Sequence, residues 1–412
     1  MQYGCIGEKL SHSFSKSIHE KLGQYSYELI ELAPAELADF MTEKNFKAIN
    51  VTIPYKQAVI PFLYEMSDMA KAVGAVNTVV NRDGRLYGYN TDFYGLSRLI
   101  ERSTGTVKNK KVLITGSGGT SKTALAVVKA MGAAEVYRVS RTGREDCITY
   151  ADMYDRHKDA EVIINASPVG MFPELYRCPV ELDRLIQPSL VIDAVYNPVQ
   201  TMLISSARKK GIAAEGGLYM LTAQAVRAYE IFTGNTAGED TAERVYSQVL
   251  SEKRNIVLTG MPMSGKTTAG QVLAKRLGRE FIDTDDEIIK LTGTDIPEYF
   301  RKYGEKSFRD AESEVIKKVS AVSGAVVATG GGAVLRRENV ERLKMNGVIY
   351  FIDRPLSELA PAADRPLAGT RQAIRKLYEE RYDIYISCAD EILKTDGDCA
   401  DTVEEIERRH FR

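Results

Sequence analysis

The chain has 412 residues, room for about three domains at roughly 150 residues each. Its 55 lysines and arginines nearly balance 56 aspartates and glutamates, so the net charge of −1 gives no global field to recruit nucleic acid or an anionic membrane, and neither is expected as a partner. With 44% hydrophobic and 27% charged residues the composition is that of an ordinary globular protein able to bury large cores. No apolar run approaches the roughly 20 residues of a membrane span. The N-terminus (MQYGCIG) has no basic segment ahead of an apolar one, so no signal peptide is expected. Cys5, Cys147, Cys178, Cys388 and Cys399 are scattered without a C-x-x-C pair, which suits reduced thiols in a cytoplasmic protein.

Short β-rich runs alternate with helical patterns, predicting an α/β protein whose parallel sheets are covered by helices. In chain order, residues 34–42 read as a helix, and 48–53 and 75–80 as strands. Buried strands follow at 111–115, 135–139, 162–164 and 190–193, with helices starting near Ser121 and Leu221. A helical pattern over 240–250 leads into a short polar bridge, 251–254, the best candidate for a boundary between two enzymes. Beyond it, strands are expected at 256–259, 281–284, 325–329 and 348–352, and there is no internal repeat.

Two phosphate-type loops stand out, one in each half. The first (KVLITGSGGTSK, residues 111–122) places Gly116, Gly118 and Gly119 after an apolar strand and before a helix. Glycine lets the chain turn sharply and approach a pyrophosphate, whose charge then faces the helix N-terminus. Ser121 stands where the dinucleotide fingerprint has its third glycine. An NAD site would carry an acid at the end of the next strand; here the strand ends in Ser140, Arg141 and Thr142. A guanidinium there suits a ribose 2′-phosphate, so NADP is expected over NAD, with Thr120 and Gly217 also at the cofactor.

The second loop (GMPMSGKT, residues 260–267) matches G-x-x-x-x-G-K-[ST] completely and also follows a strand. Gly260, Ser264, Gly265 and Thr268 would cradle phosphates, Lys266 would reach the β/γ oxygens, and Thr267 would ligate Mg²⁺, which points to ATP.

The first 250 residues resemble shikimate dehydrogenase. The motifs occur in order: SHSFS (11–15), NVTIPYK (50–56), AVNT (75–78), GYNTD (88–92), NASPVGM (165–171), DAVYNP (193–198) and GLYMLTAQ (217–224). The resemblance implies a substrate domain over 1–104, completed by helices from about 232–250, and a Rossmann NADP domain over 105–231. It makes Lys56 and Asp92 the catalytic pair, and Ser13, Ser15, Thr52, Asn77, Tyr196 and Gln224 the holders of the substrate's hydroxyls and carboxylate. The chemistry agrees: hydride reduction of a ketone leaves oxyanion character, which a lysine can stabilise and protonate while an aspartate orients it. His12 is given no catalytic role.

Residues 255–412 resemble shikimate kinase, a P-loop fold on a parallel sheet, through FIDTD (281–285), GEKSFR (304–309), Gly330 to Gly332, RPL (365–367) and RYDIY (381–385). By that resemblance Asp283 lies near Mg²⁺, Asp285 binds the acceptor hydroxyls and takes its proton, and Arg309, Gly331, Gly332 and Arg381 hold shikimate. Arg365, on the lid, approaches the transferring phosphates. Glu305 and Glu312 read as solvated helix residues. The lid, 357–365, is short and alanine-rich with no second arginine before Arg365, which predicts a smaller closure and weaker ligand retention.

The expected function is bifunctional: reduction of 3-dehydroshikimate with NADPH, then phosphorylation of shikimate with ATP and Mg²⁺. One rival is an NAD-preferring quinate/shikimate dehydrogenase, against which Arg141 stands. The other is a non-catalytic metabolite sensor, against which the retained Lys56, Asp92, Lys266 and Asp285 stand.

Overall fold

Inner strands that are apolar on both sides demand cover on both sheet faces. The strand Lys111–Thr115 turns Val112 and Ile114 into one core and Leu113 into another, and Val162, Ile163 and Ile164 divide in the same way. The computed structural model describes residues 2–10, 13–144, 146–361, 368–395 and 398–412, which fall into two units, Met1–Val249 and Leu250–Arg412. No helix among the described residues is long and apolar enough to cross a membrane.

The first unit holds two sheets. One contains β1 (Tyr3–Gly7), β2 (Tyr27–Glu31), β3 (Ala48–Val51), β4 (Glu65–Met66), β5 (Thr78–Arg82) and β6 (Arg85–Tyr89), in the order β2-β1-β3-β5-β6-β4. β5 runs antiparallel to both β3 and β6. The other contains β7 (Lys111–Thr115), β8 (Glu135–Ser140), β9 (Cys147–Thr149), β10 (Val162–Asn165), β11 (Leu190–Asp193) and β12 (Ala213–Glu215). It is parallel, ordered β12-β11-β10-β7-β8-β9, so the chain switches direction at β7, where open α/β sheets place their ligands. The helices Thr91–Arg102 and Leu218–Thr233 pack together through Leu96, Leu99, Met220 and Ala223.

The second unit holds β13 (Asn255–Thr259), β14 (Phe281–Asp283), β15 (Val326–Ala328), β16 (Gly347–Asp353) and β17 (Glu391–Lys394) in a parallel sheet ordered β14-β15-β13-β16-β17. Val257, Val327 and Ile349 face one core, while Ile256, Leu258 and Tyr350 face the other.

Three sequence expectations shift. The strand expected from residue 75 begins at Thr78; just before it the Val76 amide donates to Lys56 O (2.8 Å), outside any strand. The segment from residue 34 is a 3₁₀ turn, Pro34–Glu36, followed by the helix Leu37–Glu43. The polar bridge at 251–254 is largely helical: Ser251 to Lys253 form the last turn of the helix Thr241–Lys253. No glycine or proline breaks it, and its carbonyls find partners, since Arg279 Nη2 donates to Ser251 O (2.8 Å) and Nη1 to Arg254 O (3.1 Å).

At the switch point, the C-terminal ends of β7, β10 and β11 are tied by buried polar side chains. Thr115 Oγ1 donates to Asn165 Oδ1 (2.8 Å), and Asn165 Nδ2 donates to Asp193 Oδ1 (2.9 Å). Asp193 also accepts from the Val195 amide (3.0 Å) and the Thr201 hydroxyl (2.7 Å). Burial pushes its carboxyl up to about 6 in spite of these donors. The folded state therefore holds this proton more tightly than the unfolded chain, so its contribution is complete below the unfolded value of 3.8 and is lost as pH rises through about 6. Relative to Asp193→Asn, local stability of β11 should fall by about 2 kcal/mol between about pH 4.5 and pH 7, read from hydrogen exchange of its amides.

Candidate active sites

In the first unit, a turn closed by Tyr55 N donating to Thr52 O (2.9 Å) carries the chain from β3 to Lys56. Asp92 enters from the first turn of the helix Thr91–Arg102, whose start is capped by Asn90 accepting from the Phe93 amide (3.0 Å). The Lys56 ammonium and Asp92 Oδ2 meet at 2.6 Å with side chains only 16% and 10% exposed. A helix N-terminus is a favourable place for the carboxylate, and the carboxylate in turn holds the ammonium.

Beside this pair lies a buried polar cluster. Asn77 Oδ1 accepts from the Thr91 amide (2.7 Å), Asn77 Nδ2 donates to Thr91 Oγ1 (3.0 Å), and Thr91 Oγ1 donates to Gln224 Oε1 (3.1 Å). Thr91 was not among the expected site residues, although its place between Asn90 and Asp92 in the same motif was the available signal. Burial pushes the Tyr196 hydroxyl up to about 12, with Ser13 opposing the shift, and Phe14 packs on its ring at 5.3 Å. Ser15 begins the next helix, with its amide donating to Ser13 Oγ (3.2 Å). Asn77, Thr91 and Gln224 thus set neutral donors and acceptors beside Asp92 and its lysine.

The dinucleotide loop closes on the same place. Gly116 has φ of +112°, and a β-carbon there would stand 2.8 Å from Ala166 O, so both backbone and space require glycine. Gly118 caps the helix Gly119–Ala130, which carries Thr120 in its first turn, and a β-carbon on Gly119 would lie 3.8 Å from Lys56 Cδ. Ser121 is fully buried on this helix, its hydroxyl without a hydrogen-bond partner among the described residues. Ser140 ends the adjacent β8 and accepts from the Gly143 amide (3.1 Å); Arg141 and Thr142 follow it, exposed. Gly217 donates to Val195 O (3.0 Å), next to Tyr196.

In the second unit, Gly260 follows β13 and Gly265 caps the helix Lys266–Leu277. The Lys266 ammonium lies within the loop, donating to Gly260 O (3.1 Å) and Met261 O (2.8 Å), beside buried Ser264. Thr267 Oγ1 donates to Asp283 Oδ2 (2.8 Å), bringing hydroxyl and carboxylate together, while Thr268 stays exposed. Burial raises the Asp283 carboxyl above its ordinary value. Among the described residues no group of three or more histidines, cysteines or acids is arranged to hold a metal ion.

Asp285 lies in the first turn of the helix Thr284–Thr292 and is buried. It faces Gly330, where a β-carbon would stand 2.7 Å from Asp285 Oδ1 and 3.1 Å from Glu312 Oε1. Gly304 breaks the long helical stretch Ile296–Val319, and Arg309 lies beyond the break. Its guanidinium bonds Glu312 at 2.8 Å and lies against Gly332, where a β-carbon would be 2.1 Å from Arg309 Nη1. Arg381 Nη1 donates to Gly331 O (3.3 Å), joined there by the Tyr385 hydroxyl. The expectation that Glu312 is solvated is overturned: it is fully buried, and burial raises its carboxyl although Arg309 opposes the shift. Glu305 is exposed, pairing with Arg309 at 3.3 Å. Arg365 lies outside the described residues, as does the lid from 362 to 367.

The family model described as shikimate dehydrogenase substrate binding domain matches residues 5–79, and that described as shikimate kinase matches residues 262–409. A shikimate dehydrogenase (NADP(+)) of Clostridium beijerinckii is 33% identical over 262 residues, covering 60% of this chain and 96% of that protein. Among solved structures, shikimate dehydrogenase 1 from Peptoclostridium difficile superposes with a TM-score of 0.57 at 30% identity, covering 60% of this chain and 98% of that one. A chorismate mutase/shikimate 5-dehydrogenase fusion protein from Clostridium acetobutylicum gives 0.56 at 33% identity, covering 60% and 96%.

Arg309 can yield to a side chain at position 332 only by abandoning Glu312, which would leave a buried charge unpaired. Gly332→Ala should therefore destabilise the second unit by about 3 kcal/mol, the cost of breaking such a pair. Hydrogen exchange of the helix carrying Arg309 should report the loss, with the first unit's amides unchanged.

Proposed function

We infer the function from one premise: this chain belongs to the shikimate dehydrogenase family through its first unit and carries a shikimate kinase domain in its second. It is a bifunctional enzyme of the shikimate pathway, an NADP-dependent dehydrogenase that reduces 3-dehydroshikimate and a nucleotide-dependent kinase that phosphorylates shikimate. The observation that carries the reading is the Lys56–Asp92 pair at 2.6 Å, with the dinucleotide loop's Gly119 beside Lys56.

In the dehydrogenase, bound NADPH supplies the hydride. The turn at Gly116 and the open backbone at Gly118 fit a pyrophosphate, and Arg141 fits the 2′-phosphate. Lys56 stabilises the negative charge developing on the ketone oxygen and gives it a proton, and Asp92 holds the ammonium in place and aims it. Asn77, Thr91 and Gln224 orient ring hydroxyls, with Ser13, Ser15, Thr52 and Tyr196 at the carboxylate side.

In the kinase, the phosphoryl donor is ATP with Mg²⁺. The paired oxygens of Thr267 and Asp283 fit a hard cation. Lys266 leaves its loop carbonyls for the phosphate chain, and Asp285 accepts the proton of the attacking hydroxyl. Arg309 and Arg381 grip the shikimate carboxylate, with Gly331 and Gly332 admitting the ring. Transfer of this kind needs positioning and charge neutralisation more than covalent help. A cytoplasmic location suits an enzyme using NADPH and ATP.

Incubation with 3-dehydroshikimate, NADPH, ATP and Mg²⁺ should accumulate shikimate 3-phosphate, identified by mass spectrometry; shikimate alone would refute the kinase reading and no conversion would refute both. Lys56→Ala should lower dehydrogenase kcat by about 10²–10⁴-fold and leave the kinase untouched. Arg141→Ala should raise the KM for NADPH by about 10–100-fold, with little change for NADH, as losing a charge-assisted pair implies.

A further inference from the structure

The lid offers one arginine, Arg365, to a phosphate chain carrying several negative charges. A second cation lies elsewhere. Arg354 follows β16 directly, and β16 is paired with β13 so that Phe351 stands opposite Thr259, the residue before the P-loop. Both segments therefore leave the sheet at the same edge. Arg354 Nη1 lies 3.8 Å from the point a β-carbon on Gly265 would occupy, which places the guanidinium against the loop at the N-terminus of the helix Lys266–Leu277. That helix end and its amides are what a phosphate would meet.

The arginine is also oriented. Its Nε donates to Glu358 Oε2 (3.1 Å), in the 3₁₀ turn Leu356–Glu358 that follows at once. This fixes one edge of the planar fork and leaves the Nη1 and Nη2 hydrogens, which form no other hydrogen bond among the described residues. At 30% side-chain exposure the group is neither sealed in protein nor fully solvated. An exposed i,i+4 ion pair alone contributes little to stability, so the Glu358 contact is a weak reason for an arginine here. Asp353, Arg354 and Pro355 read in sequence as the turn after a strand, which is why the position carried no signal.

We propose that Arg354 is a phosphate-binding residue of the kinase site, contacting the phosphate chain beside Gly265 and supplying the cation that the short lid lacks. This rests on the kinase reading above. Glu358 acts as a positioning residue that holds the fork by its Nε edge.

The test is calorimetric titration of the full chain with ATP, ADP and adenosine, all with Mg²⁺, for the parent and for Arg354→Ala, Arg354→Gln and Glu358→Gln. Both Arg354 variants should bind ATP and ADP about 10–100-fold more weakly, with adenosine within about twofold of the parent. Glu358→Gln should keep ATP affinity within about threefold, since it removes a neighbouring negative charge and leaves the arginine in place. Arg354→Gln, which preserves most of the side chain's length, decides the matter if the alanine variant fails to fold. The proposal is overturned by ATP affinity in Arg354→Gln within about twofold of the parent, or by adenosine affinity falling in step with ATP. A parent chain that does not bind ATP overturns the kinase reading as well, which separates the two failures.

Discussion

Charge held out of water is the constraint around which both units are arranged. Lys56 with Asp92, and Arg309 with Glu312, lie where solvation is mostly lost, and Asp285 and Arg381 are buried too. Desolvating such groups costs several kcal/mol each and is recovered only when geometry and partners are good. The apolar cores beneath the sheets supply the stability that lets this be tolerated. The pairs gather at the ends of strands and starts of helices, where backbone turns expose amides and helix dipoles favour anions.

The two nucleotide loops use one device with different additions. Each follows the strand at the centre of a parallel sheet, β7 between β10 and β8, and β13 between β15 and β16. In the first, no side chain of the loop is charged before Lys122, so on the proposed function the backbone alone would face the pyrophosphate and discrimination would pass to Arg141, just past the end of β8. In the second, Lys266 belongs to the loop itself and is held by its carbonyls until a stronger acceptor arrives. A cofactor that is bound and released intact needs only the former. A phosphate that must pass its charge to a leaving group needs the latter.

Most of the architecture was legible because the inner strands are apolar on both sides and the loops fall between strand and helix, so pattern and motif agreed. What escaped depended on distant packing. Glu312 stands three residues beyond Arg309, the spacing of an ordinary solvated helix pair, and its burial comes with neighbours from elsewhere in the fold, Gly330 among them. Thr91 is a small polar residue at a helix start, which local rules explain without reference to Gln224 far along the chain. The last turn at Ser251 to Lys253 is polar enough to read as a linker, yet its carbonyls are met by Arg279 and by the His410 ring (2.8 Å), contacts no local window contains.

On the proposed function the two sites hold one ring by contrasting means. In this reading the dehydrogenase surrounds it with neutral groups, Asn77, Thr91, Gln224 and Ser13, and reserves its single cation for the reacting oxygen. The kinase would grip the same carboxylate with Arg309 and Arg381, because its own reaction brings a second, strongly negative partner whose charge must be balanced close by. A cation cluster in the first site would compete with Lys56 for the developing oxyanion. The difference between the sites follows from what each reaction does to charge: one creates it briefly on the substrate, the other carries it across.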